Sequence, residues 1–275
     1  MVLELMKNKK SLGRIIGKAV FAITLLTIIV LVVCSYASTK RLLTQRNQLS
    51  QQSAVQSVVA SDTNFKTETQ KELIRLVSES VFKSGEFNYS RIRQTLKNTQ
   101  NSNAQIKYIE FASDTGKYVV FTKMPTGYNP LKRPWYQSAI ADLGKVTWTA
   151  PYKDAGTGDI ITTASIAVKN SSGQIGVLEF DMSYNGIAKS TEAMKIGRTG
   201  SVTLMHKDGT VVTSDGKSKN FTFKQGKNIK GTAVYQKIAQ AKDNKGLLQV
   251  ADAGTIYYDK GNSNSDNWSF AVVDH

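Results

Sequence analysis

The sequence predicts an α+β chain: an apolar helix near the N-terminus, a long helical stalk after it, and two tandem lobes built on antiparallel sheets. Three observations carry this expectation. Residues 19–37 hold no charge; Thr39 to about Ser84 contains no proline and almost no glycine; and from Ile106 onward short β-branched and aromatic runs alternate with Gly, Asp and Pro turns.

The apolar run from Ala19 to Ala37 is just long enough, as a helix, to span a hydrocarbon core of about 30 Å. Lys7, Lys9, Lys10, Arg14 and Lys18 precede it, opposed only by Glu4, so the N-terminus is expected in the cytoplasm and the rest outside. The run is longer than the apolar region of a cleaved signal peptide, which favours a retained anchor. Cys34 lies inside it as a small membrane-facing hydrophobe. In the stalk, Leu73, Ile74, Val77 and Val81 recur at helical spacing, an apolar stripe for the chain's own domain or for a partner helix; homodimerisation along it is one expectation.

The first sheet opens with a hairpin, Ile106–Phe111 and Tyr118–Phe121 around the turn Asp114-Thr115-Gly116-Lys117. A helix is expected over Trp135–Leu143, then strands at 146–150, 160–168 and 175–181. A second unit, starting near Lys195, repeats strand, Asp/Gly turn and strand across Ser201–Met205, Lys207-Asp208-Gly209 and Val211–Thr213. It continues with a helix at 232–241 and strands at 247–251, 255–258 and 268–273. The echo argues for two related sheet domains in tandem. The expected divisions are a cytoplasmic N-terminus 1–18, a transmembrane helix 19–39, a stalk 40–84, and lobes 85–190 and 191–275.

Of 275 residues, 36 are Lys or Arg and 21 Asp or Glu, a formal charge of +15, with 40% hydrophobic residues. This is the composition of a folded protein. One cysteine excludes an intrachain disulfide scaffold and any Cys-rich zinc or iron–sulfur site. The basic residues are scattered through polar loops without a nucleic-acid recognition motif, and the expected topology puts them outside, where anionic lipid or wall polymer is a better partner than nucleic acid. Neither HExxH nor a Cys/His metal spacing occurs, and the two histidines, His206 and His275, suggest no catalytic pairing. No enzyme, cofactor or metal is indicated.

The informative stretch runs from Tyr128 to Asp181. It holds Tyr128, then Arg133-Pro134-Trp135-Tyr136, then Pro151-Tyr152-Lys153-Asp154, and ends with Gly176-Val177-Leu178-Glu179-Phe180-Asp181. Here the sequence resembles the double Cache family of extracytoplasmic sensor domains, found in bacterial chemoreceptors (methyl-accepting chemotaxis proteins), sensor kinases and diguanylate cyclases. Ile196-Gly197-Arg198-Thr199-Gly200, leading into Ser201–Gly209, looks like the start of the family's membrane-proximal lobe. The resemblance implies two PAS-like lobes, with an amino-acid pocket in the membrane-distal one formed by Tyr128, Arg133, Trp135, Tyr136, Tyr152 and Asp181. Members that bind amines resemble this pattern but lack the arginine, so Arg133 argues for an amino acid.

Elementary chemistry agrees. A free amino acid is a zwitterion, and removing either charge from water is costly unless it meets an opposite charge. Arg133 suits the α-carboxylate through its planar fork of donors, assisted by the Trp135 indole and the Tyr128 hydroxyl. Asp181 suits the α-ammonium, with Tyr152 as a second acceptor and aromatic wall. Tyr136 is left to shape the side-chain pocket. Lys153, Asp154, Thr157 and Asp159 lie in a loop that either edges the pocket or forms a solvated turn.

The expected function is therefore the ligand-binding region of a membrane receptor, a chemoreceptor first, with the sensor part of a histidine kinase or diguanylate cyclase, or a basic cell-surface adhesive protein, as alternatives. In receptors of the resembled kind a second transmembrane helix, a linker and an output module follow. By that resemblance this sequence, ending at Trp268–His275, is expected to be a fragment or a truncated product.

Overall fold

The computed structural model describes residues 2–154, 160–194, 196–197, 199–215, 218, 221, 223–261 and 266–273. Thr157 and Asp159 lie outside them. The chain divides into two compact units, residues 1–49 and 50–275. In the first, residues 2–49 are helical and belong to helix α1 (Val2–Val77). From Ile15 to Leu43 the side chains are exposed, Phe21, Leu26 and Leu31 among them. By length and composition this helix can cross a membrane. Such a helix satisfies its own backbone hydrogen bonds, and within residues 19–37 it offers its surroundings no charged side chain.

In the second unit the last turns of α1 bury one stripe: Val55, Val58, Asp62, Phe65, Thr69, Leu73, Leu76 and Val77. Spacings of three and four residues keep them on one face. The stripe expected from sequence differs at two positions: Ile74 is 48% exposed, with Leu76, fully buried, in its place, and Val81 lies beyond the end of α1 and is half-buried. The helix also stops at Val77, short of Ser84. Glu79 adopts extended backbone, and a short helix α2 (Ser80–Lys83) restarts in a direction that buries Phe82 completely. A further helix, α3 (Tyr89–Ser102), is capped by the Asn88 side chain, which accepts from the Arg91 amide at 3.1 Å.

The first sheet contains β1 (Ile106–Ser113), β2 (Tyr118–Val119), β3 (Val146–Trp148), β5 (Ile160–Lys169) and β6 (Ile175–Met182) in the antiparallel order β2-β1-β6-β5-β3; β4 (Tyr152–Lys153) pairs with β5. Its hairpin turns at Gly116, whose positive φ of 80° few other residues tolerate. Helix α4 (Pro134–Ala141) lies between β2 and β3 in sequence. The second sheet contains β7 (Gly200–His206), β8 (Val211–Ser214), β9 (Lys245–Val250), β10 (Gly254–Asp259) and β11 (Asn267–Val273), ordered β8-β7-β11-β10-β9, with α6 (Ala233–Gln240) between β8 and β9 in sequence. Counted along the chain, the five strands on each main path share one order and one helix position, so the weak sequence echo is a repeat of topology. Helix α5 (Asn185–Ala193) connects the two sheets.

Both sheets contribute one face to a core shared with α1. Ile109, Phe111, Leu178, Phe180 and Met182 come from the first, and Val202, Leu204, Ala271 and Val273 from the second. The opposite faces have separate cores: α4 closes the first over Ala112, Ala167 and Val177, and α6 closes the second over Met205, Ile256, Phe270 and Val272.

This burial pattern predicts that Leu73→Ala lowers the unfolding free energy by about 2–5 kcal/mol. In the monomer, Ile74→Ala is expected to change it by no more than about 0.5 kcal/mol. Denaturant titration of the full chain in mild detergent measures both.

Candidate functional site

Strand alternation decides which side chains of the first sheet meet α4. On β6, Leu178, Phe180 and Met182 point to the α1 core, so Val177, Glu179 and Asp181 take the other face. The ladder brings Glu110 of β1 opposite Glu179, and Thr163 of β5 opposite Asp181. Three buried carboxyl groups therefore share one sheet face: Glu110 (5% exposed), Glu179 (0%) and Asp181 (5%). The corresponding face of the second sheet carries Phe270 and Val272.

Each carboxyl has a different environment. Asp181 Oδ1 accepts from the Thr163 hydroxyl at 2.5 Å. The Thr163 oxygen lies 2.7 Å from the Tyr152 hydroxyl, so with the threonine proton committed to Asp181 the tyrosine is the donor of that pair. Glu110 Oε2 accepts from the Tyr128 hydroxyl at 2.7 Å. Among the described residues no N–H or O–H donor other than a protonated carboxyl reaches either oxygen of Glu179. Its hydrogen-bonding neighbour is Asp181, and two carboxyl groups bond only while one of them holds a proton.

Burial raises all three. It pushes Glu110 up to about 7; the Tyr128 hydrogen bond opposes this, and Asp181 and Asp154 add to it. Asp181 is pushed up to about 6 by burial, against the Thr163 hydrogen bond. Glu179 is held well above the ordinary carboxylate range by burial and then by Asp181 and Glu110. Burial, joined by Glu110 for Tyr128 and by Asp181 for Tyr152, raises both hydroxyls and keeps them protonated donors.

Arg133 is the N-cap residue of α4, in extended backbone just before Pro134 at the first helical turn. Its guanidinium lies over the Tyr152 ring, 5.5 Å from the centroid. Its positive charge lowers the pKa of Glu110 and Asp181. Of the six residues singled out from sequence, Tyr128, Arg133, Tyr152 and Asp181 thus form one electrostatic group.

Trp135 and Tyr136 lie instead in the apolar seam between α4 and the sheet, with Ala112, Ala139, Ala167 and Val177; the Tyr152 ring packs against the same cluster. The Trp135 carbonyl accepts from the Ser165 hydroxyl at 2.8 Å, which ties α4 to β5. The charge that acts on the Tyr136 hydroxyl, after burial, is Asp114. Sequence reasoning did not single out Glu110, Glu179 or Thr163. The signal for Glu179 was present, since it sits two residues before Asp181 on an apolar strand and must share its face.

A family model described as a Cache domain matches residues 35–273. The chain belongs to the Cache domain family. Among the relatives of this Cache chain is the methyl-accepting chemotaxis protein McpC of Bacillus subtilis (strain 168), 28% identical over 261 residues, which cover 90% of this chain and 38% of that protein. The chain therefore spans well under half the length of that relative.

Two solved Cache-like structures have the same fold. The ligand-binding domain of the Pseudomonas fluorescens chemoreceptor CtaA, in complex with L-isoleucine, aligns with a TM-score of 0.59 at 18% identity, over 86% of this chain and 94% of that one. The ligand-binding domain of PctB from Pseudomonas aeruginosa PAO1, in complex with L-Arg, aligns with a TM-score of 0.62 at 17% identity, over 81% and 86%.

The raised carboxyls predict a pH dependence of the ligand-free Cache chain. Glu110 binds its proton more tightly folded (about 7) than at its ordinary value of 4.5, and Asp181 more tightly folded (about 6) than at 3.8. Their contribution to stability is therefore complete below the ordinary values and is lost as pH rises through the folded ones. Scanning calorimetry from pH 4 to 8 is expected to show the melting temperature falling across this window, and the fall becoming shallower in Glu110→Gln.

Proposed function

We propose that this chain is the ligand-binding region of a membrane chemoreceptor that recognises a free amino acid on the first sheet, through its α-carboxylate and α-ammonium. One observation carries the reading: a guanidinium and a buried carboxylate, Arg133 and Asp181, act on the same face and are linked through Tyr152 and Thr163. Within this reading Arg133 forks onto the carboxylate and Asp181 takes the ammonium. Tyr152 orients both ends: its ring supports the guanidinium, and its hydroxyl holds the threonine that holds the aspartate. Trp135 and Tyr136 keep α4 at a set height over the sheet, and Tyr136 closes the ligand side-chain end. The site binds and does no chemistry on its ligand.

The remaining assignments follow from the same reading. Residues 19–39 anchor the chain, with 1–18 cytoplasmic, 40–84 as the stalk, 85–190 as the membrane-distal lobe and 191–275 as the proximal one. Relatives such as McpC and the neighbours CtaA and PctB are named as chemotaxis proteins or chemoreceptors, which supports chemotaxis as the output. Homodimerisation is proposed along the free face of α1: Leu73, Leu76 and Val77 are committed to the core, and Ile74 is left for a partner helix.

Thermal-shift and calorimetric screening of the twenty amino acids against the full chain in detergent tests the ligand assignment. Arg133→Ala and Asp181→Ala are each expected to weaken the stabilising amino acid by about 30-fold or more, since truncating one partner of a buried charge pair costs about 2–5 kcal/mol. Unchanged binding in both variants would sink the reading.

A further inference from the structure

Two buried acids of the first sheet are not required by a zwitterion. Glu110 and Glu179 lie directly opposite each other in the β1–β6 ladder, on the face that holds Asp181. Asp154 acts electrostatically on all three. Among the described residues, the cation that acts on Glu110 and Asp181 is the Arg133 guanidinium. An amino acid with a neutral side chain brings no net charge and leaves the negative excess unchanged.

Such an excess is costly. Like charges opposite each other in a ladder are destabilising, and a buried charge without a counter-ion costs several kcal/mol. Glu179 is the sharpest case, fully buried and, among the described residues, with no N–H or hydroxyl donor at either oxygen. Among the described residues no three His, Cys, Asp or Glu side chains converge to hold a metal ion. The acids instead line one sheet face, where the charged end of an organic cation can meet them. Glu179 and Asp181 are alternate residues of one strand with neighbouring carboxyl groups, and Glu110 lies opposite Glu179.

We propose that the ligand is a cationic amino acid of the lysine, ornithine or arginine class, with its α-carboxylate on Arg133, its α-ammonium on Asp181 and its side-chain cation on Glu179 beside Glu110. This inference rests on the amino-acid reading of the same site. The side-chain cation supplies the donors that Glu179 lacks. Tyr128 occupies Oε2 of Glu110 and leaves Oε1 as a further acceptor. The cation thereby replaces the proton that otherwise holds Glu179 and Asp181 together.

Titration calorimetry of the full chain in detergent tests this, with L-lysine, L-ornithine, L-arginine, L-norleucine and cadaverine as probes. Norleucine keeps an alkyl chain like that of lysine without the terminal charge, and cadaverine keeps both amines without the carboxylate. The tightest cationic amino acid is expected to bind at least about tenfold better than norleucine and cadaverine, equivalent to about 1.4 kcal/mol. In Glu179→Gln its ratio to norleucine is expected to fall to about one. Norleucine binding as tightly as the cationic amino acids overturns the inference and leaves the amino-acid reading standing. Cadaverine binding as well as lysine, or no binding by any amino acid to folded wild type, overturns the reading beneath it. The wild-type ratio decides alone if Glu179→Gln does not fold, and Glu110→Gln provides a second variant, expected to lower the same ratio.

Discussion

Both sheets depend on one helical stripe. From Val55 to Val77, α1 presents a buried face whose residues belong to the same core as strands of the first and the second sheet. Polar contacts fix its placement as well as apolar ones. The Gln51 amide donates to the Thr255 carbonyl at 2.9 Å, and Asn267 donates to Asp62 at 3.0 Å and to the Tyr184 hydroxyl at 3.1 Å. Phe65 packs on Tyr184 with ring centroids 5.1 Å apart and on Trp148 at 6.4 Å. Buried polar groups with defined partners set register in a way that apolar contact alone does not.

This arrangement gives β6 two roles. Leu178, Phe180 and Met182 pack into the α1 core, while Glu179 and Asp181 line the α4 side. Asp181 and Tyr184 lie at the same end of the strand, and the Tyr184 hydroxyl shares the Asn267 amide with Asp62 on α1. Burial raises the pKa of Asp62, and Lys66, Asn267 and Tyr184 work against that rise. A displacement of β6 at its acidic face thus has a short covalent and hydrogen-bonded route to the helix.

The two sheets share a topology and differ in what fills the face away from α1. Under α6 the second sheet packs Met205, Ile256, Phe270 and Val272 into a dry core. Under α4 the first sheet packs Ala112, Ala167 and Val177 into an apolar cluster and places Glu110, Glu179 and Asp181 on the same face. Buried carboxyls oppose folding, and a face that retains three of them is organised for something other than stability. The comparison supports the proposal that recognition belongs to the first sheet.

Much was legible in the sequence. The apolar run, the helical stripe, the strand and turn alternation, and the tandem repeat are local or periodic patterns, and hydrophobic period is a property of the chain itself. Tyr128, Arg133, Tyr152 and Asp181 were legible as a motif and share one electrostatic group in the structure. Helix α3 was missed because only Ile92, Leu96 and Thr99 of it are buried, a stripe too narrow to stand out among polar residues. Ile74 and Leu76 exchanged roles because the buried face of a helix is chosen by what packs on it. The tertiary structure alone decided that Glu110 faces Glu179, that Thr163 links Tyr152 to Asp181, and that Trp135 and Tyr136 sit in the seam under α4. Those facts rest on strand register and on how α4 docks, and register is set by pairing between segments far apart in the chain.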